Sequence, residues 1–191
     1  MQHTQVSQTP STMSPSRPAS YTPTHLSSLR LRSLEPYPAS GTITAQTYGN
    51  RCFEIGDGVA SSRRVGNNSE DCLVLNVYTP GRSEDEKGGL DLSLQWPVMV
   101  YVHGGGFNQG SGNDYKGQSL VNRSVELQSP VVVVMISYRL DFFGFLAGAD
   151  AVANNAVNLG FLDQRFALQW VHDSIAAFGG DPGKVTIFDC V

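Results

Sequence analysis

A histidine followed by three glycines is the run of this sequence best suited to chemistry. His103 precedes Gly104, Gly105 and Gly106, directly after the apolar stretch Val98 to Val102. Because glycine has no side chain, the backbone there can turn with its N–H groups facing a ligand. Two such N–H groups can stabilise the negative oxygen of a tetrahedral acyl intermediate, as in an oxyanion hole. The run alone leaves open the alternative of a flexible glycine loop without chemical function.

Cysteine and histidine, the usual metal ligands, are scattered along the chain. The three cysteines are Cys52, Cys72 and Cys190, and they cannot all pair with one another. Their spacing fits no tetrahedral zinc site, and no histidine lies within a few residues of them. We therefore expect no metal centre. His172 falls opposite the apolar face of its predicted helix, where we expect it to contact solvent.

Two Asn-X-Ser sequences match the acceptor pattern for N-glycosylation, at Asn67 to Ser69 and at Asn122 to Ser124. They have meaning only in a secreted protein. The first residues lack the basic, apolar and small-residue order of a secretory signal. The sequence therefore leaves the use of both sites open.

Short apolar runs predict the strands that must position these residues. Continuous runs rich in β-branched residues are typical of strands buried on both faces, as in parallel sheets. The predicted strands are Leu73 to Tyr78, Val98 to Val102, Val131 to Ile136, and Val185 to Phe188. We expect the last three to be buried and parallel.

Two helices are predicted between these strands. Ser119 to Gln128 can form a short helix before Pro130, and apolar residues recur at helical spacing from Leu162 to Phe178. Gly179 can end the second helix in the left-handed conformation. Alternating strands and helices predict an α/β fold with a mostly parallel, doubly wound sheet. Such sheets bind ligands at the carboxyl ends of their strands, where the glycine run begins.

Composition limits the class of protein. Of the 191 residues 16% are charged, with a net charge of −4 and no basic cluster, which argues against a nucleic-acid partner. No apolar run of 18 residues occurs, so we expect no transmembrane segment. In residues 1–28, 19 of 28 are Ser, Thr, Pro or Gln, which predicts a disordered tail before a domain over 29–191.

Four blocks of the sequence, in order, resemble the type B carboxylesterase and lipase family of α/β-hydrolases. The blocks are Ser69 to Pro80, His103 to Phe107, Ser137 to Leu146, and Asn158 to Phe188. The resemblance covers residues 29 to 188 and implies the N-terminal part of an α/β-hydrolase fold. It also implies hydrolysis of a small-molecule or lipid ester by an activated serine, without a cofactor.

The resemblance assigns roles to individual residues. His103 is expected to pack against and hydrogen-bond the glycine loop. The resemblance implies that Gly105 and Gly106 are the two oxyanion-hole donors. It also implies a loop disulfide between Cys52 and Cys72 and a structural ion pair between Arg139 and Asp163. The disulfide favours an extracellular or secretory compartment, whereas no signal peptide is visible, so localisation stays unknown.

The sequence departs from the family after Phe188. There the family reads Gly-Glu-Ser-Ala-Gly, the turn that exposes the catalytic serine, whereas this chain reads Asp189-Cys190-Val191. Val191 stands at the position of the serine, so we expect neither the serine nor the later acid and histidine of the triad. Cys190 is one place early, and the carboxylates beside it disfavour a thiolate.

We therefore interpret the chain as a fragment that is inactive as it stands. The alternative function is that of a non-catalytic binding or adhesion member of the same fold. Because Val185 to Phe188 belongs inside the family sheet, a chain ending there exposes a strand edge, and we expect the isolated chain to aggregate.

Overall fold

The structure, a computed structural model, describes residues 48–54, 66–80 and 95–189. The tail expected over residues 1–28 lies outside these ranges, as do Cys190 and Val191. The described residues form the sheet and the helices that surround the glycine run.

Within the part of the chain that the structure describes, four strands form one mixed sheet with the order β1-β3-β2-β4. Their bounds are β1 Leu75–Tyr78, β2 Trp96–Val102, β3 Val132–Ile136 and β4 Gly180–Asp189. Strand β2 pairs in parallel with both β3 and β4, while β1 runs antiparallel to β3. The predicted mostly parallel sheet is confirmed, and each predicted strand is present with shifted ends.

Alternating side chains of the central strands fill two separate cores. Val98 and Val100 on β2 and Val134 on β3 face one core, where they are fully buried against the end of the second predicted helix. Tyr101 and Val133 point to the opposite face and pack with Val121 of the first predicted helix. This division follows from strand geometry, because successive side chains leave a strand on opposite sides.

Four α-helices in the described ranges connect and cover the strands. They are α1 Gly117–Glu126, α2 Asp141–Phe145, α3 Ala149–Ala153 and α4 Leu159–Ser174. A 3₁₀ turn at Ile175–Phe178 continues α4, and Gly179 ends it with φ of 77°, in the left-handed region as expected. Helices α1 and α4 lie on opposite faces of the sheet, so the sheet is doubly wound. The sequence did not predict α2 and α3, because five residues are too few to show a helical period.

Strand β4 is not buried as the sequence predicted. Val185 and Phe188 are half-buried, Thr186 is exposed, and Ile187 is 53% exposed. Within the described ranges β4 pairs only with β2, so it lies at an edge of the sheet. An apolar strand at this position has an unpaired backbone edge.

The prediction of one broad apolar face on the second helix is also only partly correct. Trp170 and Val171 are buried against the sheet, whereas Leu162 is 37% exposed. The first turns of α4 instead pack against α2, and Leu159 and Asp163 are the side chains buried there. The helix therefore contacts the sheet with its second half only.

None of the helices in the described ranges combines the length and the apolar character needed to cross a bilayer.

Candidate functional site

The glycine run leaves the sheet at the point where the chain changes its winding direction. From β2 the chain steps to β3 on one side, and later to β4 on the other side of β2. Val102, the last residue of β2, pairs with Ile136 of β3 and with Asp189 of β4. His103 therefore begins a loop at the carboxyl ends of three parallel strands, which is the usual ligand position in open α/β sheets.

Gly105 takes a backbone conformation that requires glycine. Its φ is +124°, and a Cβ atom added there would lie 2.1 Å from the carbonyl oxygen of Gln109. The Gly105 carbonyl accepts hydrogen bonds from the N–H groups of Asn108, at 3.1 Å, and Gln109, at 3.3 Å. Gly106 has a φ of +62°, but a Cβ added there would meet no atom within 4 Å. The turn therefore has no room for a side chain at Gly105 but has room for one at Gly106.

The two predicted oxyanion donors lie side by side on this turn. Gly105 and Gly106 are both exposed. Within the part of the chain that the structure describes, neither N–H donates a hydrogen bond to another residue. Both donors are thus available to an acceptor from outside the described chain.

His103 fixes the start of the loop. Its side chain is buried and stacks on Tyr138 with ring centroids 4.4 Å apart, and its Nδ1 lies 3.0 Å from the Gly104 carbonyl oxygen. The Tyr138 hydroxyl donates to the His103 carbonyl at 2.8 Å. Burial lowers the pKa of His103, so the imidazole is held in its neutral form. These contacts pack the ring beneath the loop.

Phe107 fixes the middle of the loop. It has a φ of +62°, unusual for a residue with a side chain, and its carbonyl accepts a hydrogen bond from the Asp141 N–H at 2.7 Å. Its ring lies 4.9 Å from Phe145 of α2 and 5.5 Å from Phe161 of α4, measured between centroids. Helices α2 and α4 therefore both hold the turn that contains Gly105 and Gly106.

A buried ionic cluster fixes the end of the loop. Glu54 accepts a hydrogen bond from the Gly110 N–H at 2.9 Å and pairs with Arg51 at 3.4 Å. Arg51 is 2% exposed and also binds both carboxylate oxygens of Asp114. Burial lowers the pKa of Arg51, but the hydrogen bonds and charges of Asp114 and Glu54 outweigh that effect and raise it. Arginine therefore stays charged in this buried position.

No motif in the sequence predicts this cluster. Arg51 and Glu54 flank Cys52, whereas Asp114 lies in a 3₁₀ turn at Gly112–Asp114 far along the chain. No local pattern joins residues so far apart. The only available signal was the position of two charged residues beside a cysteine expected to be in a disulfide.

The disulfide implied by the family resemblance is present between Cys52 and Cys72. Both half-cystines are buried and form a small core with Leu73. Since Arg51 and Glu54 lie on either side of Cys52, the disulfide anchors the segment that holds Gly110. It therefore ties a separate loop to the end of the glycine run.

Arg139 and Asp163 form a buried ion pair, with exposures of 6% and 3%. The guanidinium donates to both carboxylate oxygens, from Nε at 2.7 Å and from Nη2 at 2.6 Å. The Arg139 backbone N–H donates to the same carboxylate at 3.0 Å. These bonds join the segment after β3 to α4 and satisfy each charge with the other.

Other candidate groups do not gather into a site. Among the described residues, no three side chains of His, Cys, Asp or Glu come close enough together to hold a metal ion. His172 is exposed, as expected, and its Nδ1 lies 2.8 Å from the neighbouring Asp173 carboxylate. The glycine loop and its three supports are thus the candidate site.

Comparison with known proteins identifies the family. Residues 22–189 match the model of the carboxylesterase family. The chain belongs to the carboxylesterase family. The match begins inside the segment 1–28, which the sequence predicted to be a tail, so the start of this carboxylesterase domain stays a prediction.

Fungal relatives extend the match over most of the chain. This carboxylesterase chain is 39% identical over 178 residues to Secreted lipase 1 of Botryotinia fuckeliana, covering 84% of the chain and 30% of the relative. It is 40% identical over 178 residues to Lipase 5 of Diutina rugosa, covering 83% of the chain and 31% of that relative. The chain therefore spans less than a third of the length of these two relatives.

The crystal structure of Aspergillus niger EstA has the same fold over the matched region. It is 35% identical to this carboxylesterase chain, with a TM-score of 0.69, and the match covers 84% of the chain and 29% of EstA. The expected partial α/β-hydrolase fold is confirmed.

Proposed function

We propose that this chain supplies the oxyanion-hole part of a carboxylic ester hydrolase, with Gly105 and Gly106 as the donors. The pairing of Val102 with Asp189 carries the proposal. It brings the end of β4, after which the family places its catalytic serine, to the start of the glycine loop. A nucleophile after β4 would therefore lie next to the N–H groups of Gly105 and Gly106, as attack on an ester carbonyl requires.

The proposed chemistry is acyl transfer. A serine oxygen adds to the ester carbonyl, the carbonyl oxygen becomes negative, and the two N–H groups donate to it. The bond to the alcohol then breaks, and water releases the acid in a second step. The rigid supports at His103, Phe107 and Gly110 favour this role, because donors already in place need no reorganisation as charge develops.

The polypeptide of 191 residues is proposed to be inactive by itself. Its sequence contains no Gly-X-Ser-X-Gly pentapeptide, the turn that exposes the serine in this family. An oxyanion site without a nucleophile has no covalent route to the product. We expect the purified polypeptide to hydrolyse p-nitrophenyl esters no faster than buffer, and hydrolysis that survives removal of contaminating esterase contradicts this proposal.

The donors are tested in a complete enzyme. Residues 29–189 replace the corresponding segment of Lipase 5 of Diutina rugosa, and the chimera is assayed with a p-nitrophenyl ester. We expect Gly105→Ala to lower kcat by roughly 10²-fold with little change in KM, because the clash with Gln109 displaces the donors.

Gly148→Ala is the matched control. Gly148 also has a positive φ, of +133°, but it lies at the start of α3 rather than in the glycine loop. We expect it to cost stability without lowering kcat. Equal kcat for Gly105→Ala and the parent chimera, with the fold intact by circular dichroism, contradicts the assignment of the donors.

We also infer that the isolated polypeptide self-associates. The support is the edge position of β4 and the exposed side chain of Ile187. An apolar strand with an unpaired edge is a template for another chain. Light scattering over a dilution series tests this: we expect the apparent mass to rise with concentration, and Ile187→Lys to reduce that rise.

A further inference from the structure

The two Asn-X-Ser sequences occupy different structural settings, and the proposed ester hydrolysis uses neither. Asn67 to Ser69 lies between the half-cystines Cys52 and Cys72. Asn122 to Ser124 lies within α1. Because a glycan is bulky and belongs on surface loops, the two settings differ in their capacity to carry one.

Asn67 is exposed, near the start of the described segment 66–80. Its side-chain amide makes no hydrogen bond to any other residue in the described ranges. Its backbone is held, because its carbonyl accepts from the Arg51 N–H at 2.8 Å and the Ser69 N–H donates to the Arg51 carbonyl at 2.9 Å. A sugar attached to the amide nitrogen would therefore project from a fixed backbone and break no hydrogen bond between this side chain and the described residues.

Asn122 is half-buried on a packed helix. Its Oδ1 has no contact with solvent, and the preceding Val121 is fully buried against the sheet. The Ser124 hydroxyl donates to the Val121 carbonyl at 2.7 Å and accepts from the Val131 N–H at 3.1 Å. A glycan here would crowd a packed helix, and the Ser124 hydroxyl is engaged as both donor and acceptor. The Ser69 hydroxyl, by contrast, accepts from the Asp71 N–H at 3.1 Å and makes no donated bond to the described residues.

We propose that Asn67 is an N-glycosylation site of this protein and that Asn122 is not. The Cys52–Cys72 disulfide closes the loop that carries Asn67, and disulfides form in the same oxidising secretory compartment as N-glycans. In the reaction, Nδ2 of Asn67 loses one proton and forms a bond to the anomeric carbon of a lipid-linked oligosaccharide. The bond from that carbon to the lipid diphosphate breaks, and the diphosphate leaves.

The full 191-residue chain, placed behind a cleavable secretion signal, is translated in the presence of endoplasmic-reticulum microsomes. Products are compared by gel mobility before and after treatment with a peptide N-glycosidase, and peptide mapping locates the asparagine that the enzyme converts to aspartate. We expect one glycan on the parent chain. Asn67→Gln and Ser69→Ala should remove it, whereas Ser69→Thr should retain it.

Asn122→Gln and Ser124→Ala are the matched controls and should leave the single glycan in place. A parent chain with no glycan overturns the proposal, as does a chain with two. Loss of the glycan in Asn122→Gln but not in Asn67→Gln overturns it as well. Each of these outcomes is independent of ester hydrolysis, so the proposal stands or falls separately from the proposed function.

Discussion

The ring of His103 stacks on the ring of Tyr138 at an interplanar angle of 14°, and the Tyr138 hydroxyl also donates to the His103 carbonyl. One residue follows β2 and the other follows β3, so the pair joins the ends of two neighbouring parallel strands. Burial, with a smaller effect of the charge on Asp189, raises the pKa of Tyr138 to about 12. The hydroxyl therefore remains a donor throughout the neutral range, and the start of the glycine loop keeps this anchor.

The buried imidazole predicts a pH dependence of stability. Because burial lowers the pKa of His103 below its ordinary value of 6.5, the unfolded chain binds this proton more readily than the folded chain. The free energy of unfolding should thus be fully retained above about pH 6.5 and fall as the pH drops below it, by at most about 1.4 kcal/mol per pH unit. Urea denaturation from pH 7.5 to 5 measures this slope.

We expect His103→Gln to flatten that slope, although it also lowers stability at pH 7.5 through lost packing. His172→Gln replaces an exposed histidine and is the control for the substitution itself. A slope unchanged in His103→Gln would show that another group causes the acid sensitivity.

The two loop glycines should differ in their tolerance of a side chain. Gly105→Ala combines a positive φ with a contact of 2.1 Å to the Gln109 carbonyl oxygen, and we expect it to cost about 3 kcal/mol or more. Gly106→Ala carries the backbone strain without a contact, and we expect a cost of about 1–2 kcal/mol. Chemical denaturation gives both values. Equal losses of stability would contradict the conclusion that only Gly106 has room for a side chain.

The buried ion pair should matter far more than a surface pair of the same kind. Asp163→Asn removes the carboxylate charge that faces the buried Arg139 guanidinium, and we expect a loss of about 3–5 kcal/mol. Arg123 and Glu126 on α1 form the matched control, with side chains 65% and 63% exposed. Glu126→Gln should cost less than about 1 kcal/mol in the same denaturation measurement.

Removal of the disulfide should loosen the end of the glycine loop. Its half-cystines are 20 residues apart in sequence, for which loop-closure entropy predicts a contribution of about 3 kcal/mol. We expect the free energy of unfolding to fall by this amount in the double variant Cys52→Ser and Cys72→Ser. The reduced parent chain should show the same loss. Hydrogen exchange at the Gly110 N–H, which donates to Glu54, should quicken in both.

No quickening at Gly110 would mean that Glu54 keeps its position without the disulfide. Glu54→Gln separates the two effects, since it weakens the acceptor of the Gly110 N–H and leaves the disulfide in place. This variant should speed exchange at Gly110 without the full loss of global stability.

Patterns local in sequence predicted much of the sheet and the glycine loop. The apolar run Val98 to Val102 marked β2 because its β-branched residues fit a strand buried on both faces. The glycines marked the turn because only they tolerate the conformation at Gly105. Features set by distant contacts were missed, such as the partnership of Arg51 with Asp114. The burial of β4 was predicted wrongly for the same reason, since hydropathy does not report which neighbours a strand has.

The order of the strands has a consequence for folding during synthesis. Val98 on β2 pairs with Val132 on one side and with Val185 on the other. The ribosome releases the chain from its N-terminus at about 5–20 residues per second, so β2 waits several seconds longer for β4 than for β3. Contacts so far apart in sequence also slow folding through the entropy of loop closure. Of the two interior strands in the described sheet, β2 therefore gains both partners last, and one edge of the strand that carries the glycine loop stays unpaired on the nascent chain until β4 emerges.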